Sequence, residues 1–260
     1  MNNILILGSG RSGTSMLTGM LAKAGYHLGE NFEYLKKDKA NPKGYFEDYE
    51  VNTINEDILE ISLFSIPETL RKRILPSFTF YRARWLAIIP KWKKINTTNY
   101  IDTRIDAVIS KSSFCYKDPR FSYTLPIWQQ FFKNNNVRVK YLVVYREPNK
   151  TADSICRECK ENRALHPLKM NNKRALKVWE LMYWHILENY KKDLQKENWM
   201  FVHFNQLFSL EIIEKIENFT GCSIDKEFPE KQLSRAEDFG EELSPNLSKI
   251  YNHLNKLAFN

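Results

Sequence analysis

The chain has 260 residues, 43% apolar and 13% aromatic, which is enough to bury one sizeable core and excludes wholesale disorder. Thirty-nine basic against 31 acidic side chains leave a net charge of +8, a bias toward anionic ligands or acceptors, yet no motif of a nucleic-acid reader accompanies it. No apolar run approaches the ~20 residues of a membrane helix, and the first residues lack a charged-then-apolar secretion pattern, so a cytoplasmic location is expected.

Residues 3–7 read as a buried strand and residues 14–25 as a helix closed by Gly25. Between them runs Gly8-Ser9-Gly10-Arg11-Ser12-Gly13-Thr14-Ser15, the layout of a phosphate cradle. In the common nucleotide loop G-x-x-x-x-G-K-[ST], Gly8 and Gly13 keep the spacing and Ser15 the hydroxyl position. Thr14 stands where the lysine belongs, and the nearby cation is Arg11. Glycines allow backbone conformations in which successive N–H groups turn toward one anion. The helix that follows adds its unpaired amides and the positive end of its dipole. Gly10, Arg11, Ser12, Gly13, Thr14 and Ser15 are therefore candidate anion ligands. A glycine-rich turn without a ligand is the plainer alternative.

A lysine-rich loop over residues 30–44 ends in Asn41-Pro42-Lys43-Gly44, a turn signal, and helical periodicity resumes over 49–62. From Arg71 to Lys94 basic residues interleave with Phe78, Phe80, Tyr81, Trp85 and Trp92. That stretch reads either as a solvated face or as an insertion touching an anionic glycan, a membrane surface or a partner. Strands are expected at 113–116, 139–145 and 200–204, and helices at 123–133, 149–161, 173–196 and 209–220. This alternation predicts an α/β fold in three layers, a central mainly parallel sheet flanked by helices, in one domain over 1–260. Ligands of such folds bind at the carboxyl ends of the strands. The glycine loop, Lys117 and Arg146 each follow such an end. Cys156 and Cys159 form a C-x-x-C with no second pair, so they read as thiols on a helix face rather than as a metal site. The five histidines are scattered without a metal or triad pattern.

Arg146 closes a predicted strand, and Ser154 stands eight residues later in the helix that follows. With the first loop, this pair resembles the 3′-phosphoadenylyl-sulfate-dependent sulfotransferases. In that family a loop of the type P-[KR]-S-G-T-[TS] holds the 5′-phosphosulfate end of the donor, as Arg11-Ser12-Gly13-Thr14-Ser15 would here. A strand-end arginine and a serine eight residues later hold the 3′-phosphate. The arginine form of the loop is similar to tyrosylprotein sulfotransferases and to bacterial relatives acting on carbohydrates or small molecules. Lys117-Asp118-Pro119 resembles a lysine segment that reaches the transferring group, and Asn41 to Asp48 resembles a segment of bacterial members.

The resemblance implies a P-loop-type fold and metal-free in-line transfer of a sulfuryl group to a hydroxyl or amine. Adenosine 3′,5′-bisphosphate would be the product. Positioning and charge stabilisation dominate such chemistry. Arg11 would face the leaving phosphate and Lys117 the sulfonate oxygens. The general base would be Glu47, with Glu30 and Glu33 in competition, because Asn31 occupies the place of the glutamate used by the tyrosylprotein relatives. Two other readings share these features. One is a P-loop small-molecule kinase, for which the lysine and a strand-end carboxylate for Mg²⁺ are missing. The other is a non-catalytic protein binding an anionic glycan or membrane surface.

Overall fold

Four short strands, β1 (Asn3–Leu7), β2 (Cys115–Lys117), β3 (Val139–Tyr145) and β4 (Trp199–His203), lie in the order β2-β1-β3-β4, each pair parallel. They belong to a computed structural model that describes residues 1–38, 41–64, 67, 69–70, 83–230 and 242–259. Ile6 stands opposite both Lys117 and Leu142, and Tyr145 opposite His203, so the carboxyl ends of all four strands point to one edge.

Side chains alternate across a strand with a period of two, and here both faces are buried, as parallel sheets require. Leu5, Leu7, Tyr141, Val143 and Tyr145 enter one core, while Ile4, Ile6, Leu142, Val144 and Val202 enter the other. The second core is covered by α1 (Thr14–Leu21) and α7 (Leu210–Thr220). The first is covered by α2 (Tyr49–Phe64), α3 (Asn99–Ile109), α4 (Phe121–Asn134), α6 (Asn172–Lys192) and α8 (Pro245–Phe259). Helix α5 (Pro148–Glu161) packs against the start of α6 through Ala152, Ile155 and Ala175. The three layers and the parallel sheet are those that the sequence predicts.

Some boundaries differ from expectation. Helix α1 ends at Leu21, and residues 22–25 form turns that close on Gly25 at φ +87°. Strand β2 begins two residues later than expected. Helices α3 and α8 have no counterpart among the expected elements. Each buries only a thin stripe, Ile101, Ile105 and Ile109 in one and Leu247, Ile250 and Leu254 in the other. Cys156 and Cys159 are free thiols on α5, half-buried and buried respectively. Residues 71–82 of the basic aromatic stretch lie outside the described residues. Of the remainder, Trp85 is half-buried and Trp92 is 66% exposed.

Helix α6 ties the layers to the glycine loop. The Tyr183 hydroxyl donates to the Val144 carbonyl at 2.7 Å and accepts the Ser9 N–H at 3.2 Å. Two residues on, His185 packs edge-on to Tyr123 and contacts the Ile89 carbonyl at 3.4 Å. Burial lowers the His185 pKa to about 4. The unfolded chain takes up this proton near pH 6.5, whereas the fold withholds it until about pH 4. Stability therefore falls as the pH drops through that interval. Melting temperatures measured between those limits are expected to decline with acid, and H185Q is expected to flatten the decline.

Candidate active site

Beyond Leu7 the chain turns through Gly8 (φ +149°), Arg11 (φ +70°) and Gly13 (φ +98°) before entering α1. A Cβ at Gly8 would stand 2.3 Å from the Val144 carbonyl oxygen, and one at Gly13 2.5 Å from the Phe204 ring. Only glycine fits where the loop presses on β3 and on the turn after β4. The unpaired first-turn amides of a helix are thereby presented at the loop. Arg11, a non-glycine residue in the left-handed region, is held by its side chain. Its Nε donates to Ser154 Oγ at 3.1 Å, and Nη1 lies 3.9 Å from Glu158 Oε2.

Lys117, the last residue of β2, reaches the same loop. Its Nζ donates to Ser15 Oγ at 3.2 Å and to Glu47 Oε1 at 2.5 Å. Lys117 and Glu47 are 3% and 6% exposed, so this is a nearly desolvated ion pair. Local structure fixes the glutamate. The next residue, Asp48, caps α2 by accepting the N–H groups of Glu50 and Val51 at 3.0 Å, and it also accepts the Asn31 N–H at 3.1 Å.

Behind Lys117 lies a buried network. Asp118 accepts from the Arg120 guanidinium at 2.8 Å, and from the side-chain amides of Asn52 at 3.0 Å and Asn55 at 2.9 Å. Glu56 accepts from Arg120 and from Arg84, each at 2.6 Å. Burial pushes the Asp118 pKa upward against the opposing pull of Arg120. Asn55 also accepts from Thr124 at 2.7 Å and from the Trp128 indole at 2.9 Å. The network joins the segment after β2 to α2 and to the turn Arg84–Leu86, whose Trp85 covers Gly10.

Arg146, at the end of β3, is 7% exposed and lies over the Phe204 ring, 4.3 Å from its centroid. Burial lowers its pKa from the ordinary arginine value, and the charge of Arg11 lowers it further, against the pull of Glu147. Two guanidiniums whose charges oppose each other gain from an anion that neutralises both. Ser154, the second half of the expected pair, bonds Arg11, so the two expected anion sites meet through one contact. Glu30 is exposed and paired with Lys111 at 3.3 Å, away from the site, and Glu33 is exposed. Among the described residues no cluster of three His, Cys, Asp or Glu could hold a metal, and no helix is long and apolar enough to cross a membrane.

A cavity of about 310 Å³ opens over Arg11, Ser15, Lys117 and Glu47. Its other walls include Trp85 and Glu158. Gly10 and Thr14 line it as well, whereas Ser12, Gly13, Arg146 and Ser154 stand outside its lining. Sequence reasoning gave no site role to Phe204, Glu158, Glu56 or Arg120, and met Arg84, Trp85 and Asp118 only as parts of longer segments. A signal existed for part of the network, because Asn52, Asn55 and Glu56 interrupt the apolar face of α2.

No family model and no curated protein matches the chain. Solved structures do match. The sulfotransferase domain of the Synechococcus PCC 7002 olefin synthase superposes with a TM-score of 0.55 at 17% identity, over 97% of this chain and 94% of that one. The sulfotransferase from Alicyclobacillus acidocaldarius gives 0.51 at 14% identity, over 100% and 96%. The sulfotransferase domain of the curacin biosynthetic pathway gives 0.50 at 13% identity, over 98% and 97%. The chain thus has the fold of sulfotransferase domains along its whole length.

Removing one partner from a buried ion pair strands the other charge. R120M is expected to lower the unfolding free energy by about 3–5 kcal/mol in urea titration. A loss below about 1 kcal/mol would show that Asp118 and Glu56 do not depend on it.

Proposed function

We propose that this chain is a sulfotransferase that moves a sulfuryl group from 3′-phosphoadenylyl sulfate to a hydroxyl or amine of a carbohydrate, glycolipid or small-molecule acceptor. The observation that carries the reading is the meeting of Arg11, Lys117, Ser15 and Glu47 around one cavity at the mouth of the glycine loop. The whole-length likeness to sulfotransferase domains supports it. So does the fit of the residues to a donor carrying phosphate at two places, with the loop at one and the crowded Arg146 at the other.

Each side chain has a distinct task in this reading. The loop amides, Ser12 and Thr14 bind and orient the phosphosulfate end. Arg11 faces the leaving phosphate, where negative charge grows, and Lys117 neutralises the sulfonate oxygens. Arg146 and Ser154 hold the 3′-phosphate. Glu47 takes the acceptor proton. Its contact with Lys117 links the two roles, because drawing the ammonium toward the sulfonate releases the carboxylate for the proton. Trp85, lying against Gly10, walls the loop end of the cavity. A soluble cytoplasmic enzyme of bacterial type, in one domain over 1–260, with 71–94 touching a membrane surface or an anionic glycan, completes the proposal.

Calorimetry with adenosine 3′,5′-bisphosphate in metal-free buffer tests the donor site. Binding is expected, and R146A is expected to weaken it by about tenfold or more. Binding of ATP only with Mg²⁺, and none of the bisphosphate, would overturn the reading in favour of a kinase. With an active acceptor in hand, R11A is expected to lower turnover about 10²-fold with little change in melting temperature.

A further inference from the structure

The cavity has a wall that the transfer chemistry leaves unused. Glu158 lies on α5 one turn beyond Ser154, lines the cavity and is 9% exposed. Its Oε2 is buried and makes no hydrogen bond. Among the described residues the cation recorded beside it is Arg11, at 3.9 Å, and Arg11 is assigned above to the donor. Asp38 and Tyr45 line the same wall, with the Tyr45 hydroxyl donating to Asp38 Oδ2 at 2.8 Å. The three groups feel one another. Burial first, and then the Glu158 carboxylate, push the Tyr45 hydroxyl up. Burial raises the Glu158 pKa against the pull of Arg11, and Asp38 raises it further. Lys36 also lines the cavity, and among the described residues no ion pair joins it to either carboxylate.

We infer that Glu158, with Asp38 and Tyr45 beside it, forms a subsite for a cationic group, so that the acceptor carries an ammonium in addition to the group that is sulfated. A buried carboxylate oxygen without a hydrogen-bond donor is costly, and an incoming ammonium supplies up to three donors and the opposite charge. When Arg11 engages the donor anion, its hold on Glu158 weakens, and the subsite then favours a cation most. The inference rests on the sulfotransferase reading for the identity of the donor, while the preference for a cation is a property of the wall alone.

The test uses the full chain, with and without adenosine 3′,5′-bisphosphate, titrated calorimetrically with matched pairs of probes. Tyramine is compared with neutral 4-propylphenol, and glucosamine with glucose. The cationic member is expected to bind the wild type about tenfold or more tightly than its neutral match. In E158Q that preference is expected to shrink to about threefold or less. Equal affinities within a pair in the wild type would overturn the inference without any variant. A preference that survives in folded E158Q would also overturn it. So would weaker bisphosphate binding by E158Q with the amine preference intact, which would leave Glu158 as the residue that positions Arg11. If E158Q fails to fold, D38N takes its place, with a reduced preference expected and an unchanged one counting against the subsite. Failure of the bisphosphate to bind, with the amine preference present, removes the donor assignment and leaves the subsite standing.

Discussion

Everything around the cavity rests on two arginines and two carboxylates that share a nearly water-free space. Arg84, Arg120, Glu56 and Asp118 are each at most 2% exposed. Desolvating four charges costs several kcal/mol apiece unless each meets an opposite charge and its remaining donors and lone pairs are filled. Glu56 satisfies this from both sides, with Arg120 on one oxygen and Arg84 on the other. Asp118 satisfies it with a guanidinium, a backbone amide and two asparagine amides. Such a network has few alternative arrangements, so the pieces it connects are held in one geometry. Those pieces are the segment after β2, the middle of α2 and the turn carrying Trp85. Lys117, Glu47 and the indole over Gly10 all inherit their places from it.

The glycine loop obeys a different constraint, that of space. It is pinned by Tyr183 from α6 and crowded by Val144 and Phe204. With three left-handed residues in one short turn, the backbone takes a course of the kind in which successive amides can converge on one point. Strain of this kind, on the order of 1–3 kcal/mol for a non-glycine residue such as Arg11, persists only where surroundings over-determine it. Here Ser154 and Glu158 supply that from α5.

The cavity as a whole is an electrostatic compromise. Its lining brings Arg11 and Lys117 together with Glu47, Glu158 and Asp38, and the net charge of +8 says nothing about this local mixture. Arg11 belongs to the glycine loop and also contacts Glu158. An anion drawn to the loop and a cation drawn to Glu158 would each relieve the other's competition for that side chain. In the proposed reading, donor and acceptor sites would be linked through the Arg11 guanidinium, which contacts both Ser154 and Glu158.

Much of this was legible along the chain, and the reason is locality. The strand–glycine–helix passage at Ile4–Leu17 shows in consecutive residues, because the left-handed turn, the presented amides and the buried strand are each set by near neighbours. The alternation of apolar strands and helices determined the layered α/β architecture for the same reason. Arg146 and Ser154 were singled out by their spacing and resemblance, and the contact of Ser154 with Arg11 came only from the fold. What only the tertiary structure decided is long-range. Whether Glu47 or Glu30 meets Lys117 depends on how the chain leaves the Asp48 cap: Glu47, 70 residues from the lysine in sequence, pairs with it, while Glu30 is exposed and pairs with Lys111. The short stripes of α3 and α8 gain meaning only against the sheet that they cover. The buried network unites residues from 52 to 120, and a charged residue in a sequence reads as exposed until folding places its counter-charge beside it. Glu158 is the sharpest case, since one glutamate in a polar helix becomes a cavity wall only when α5 is laid against the loop after β1.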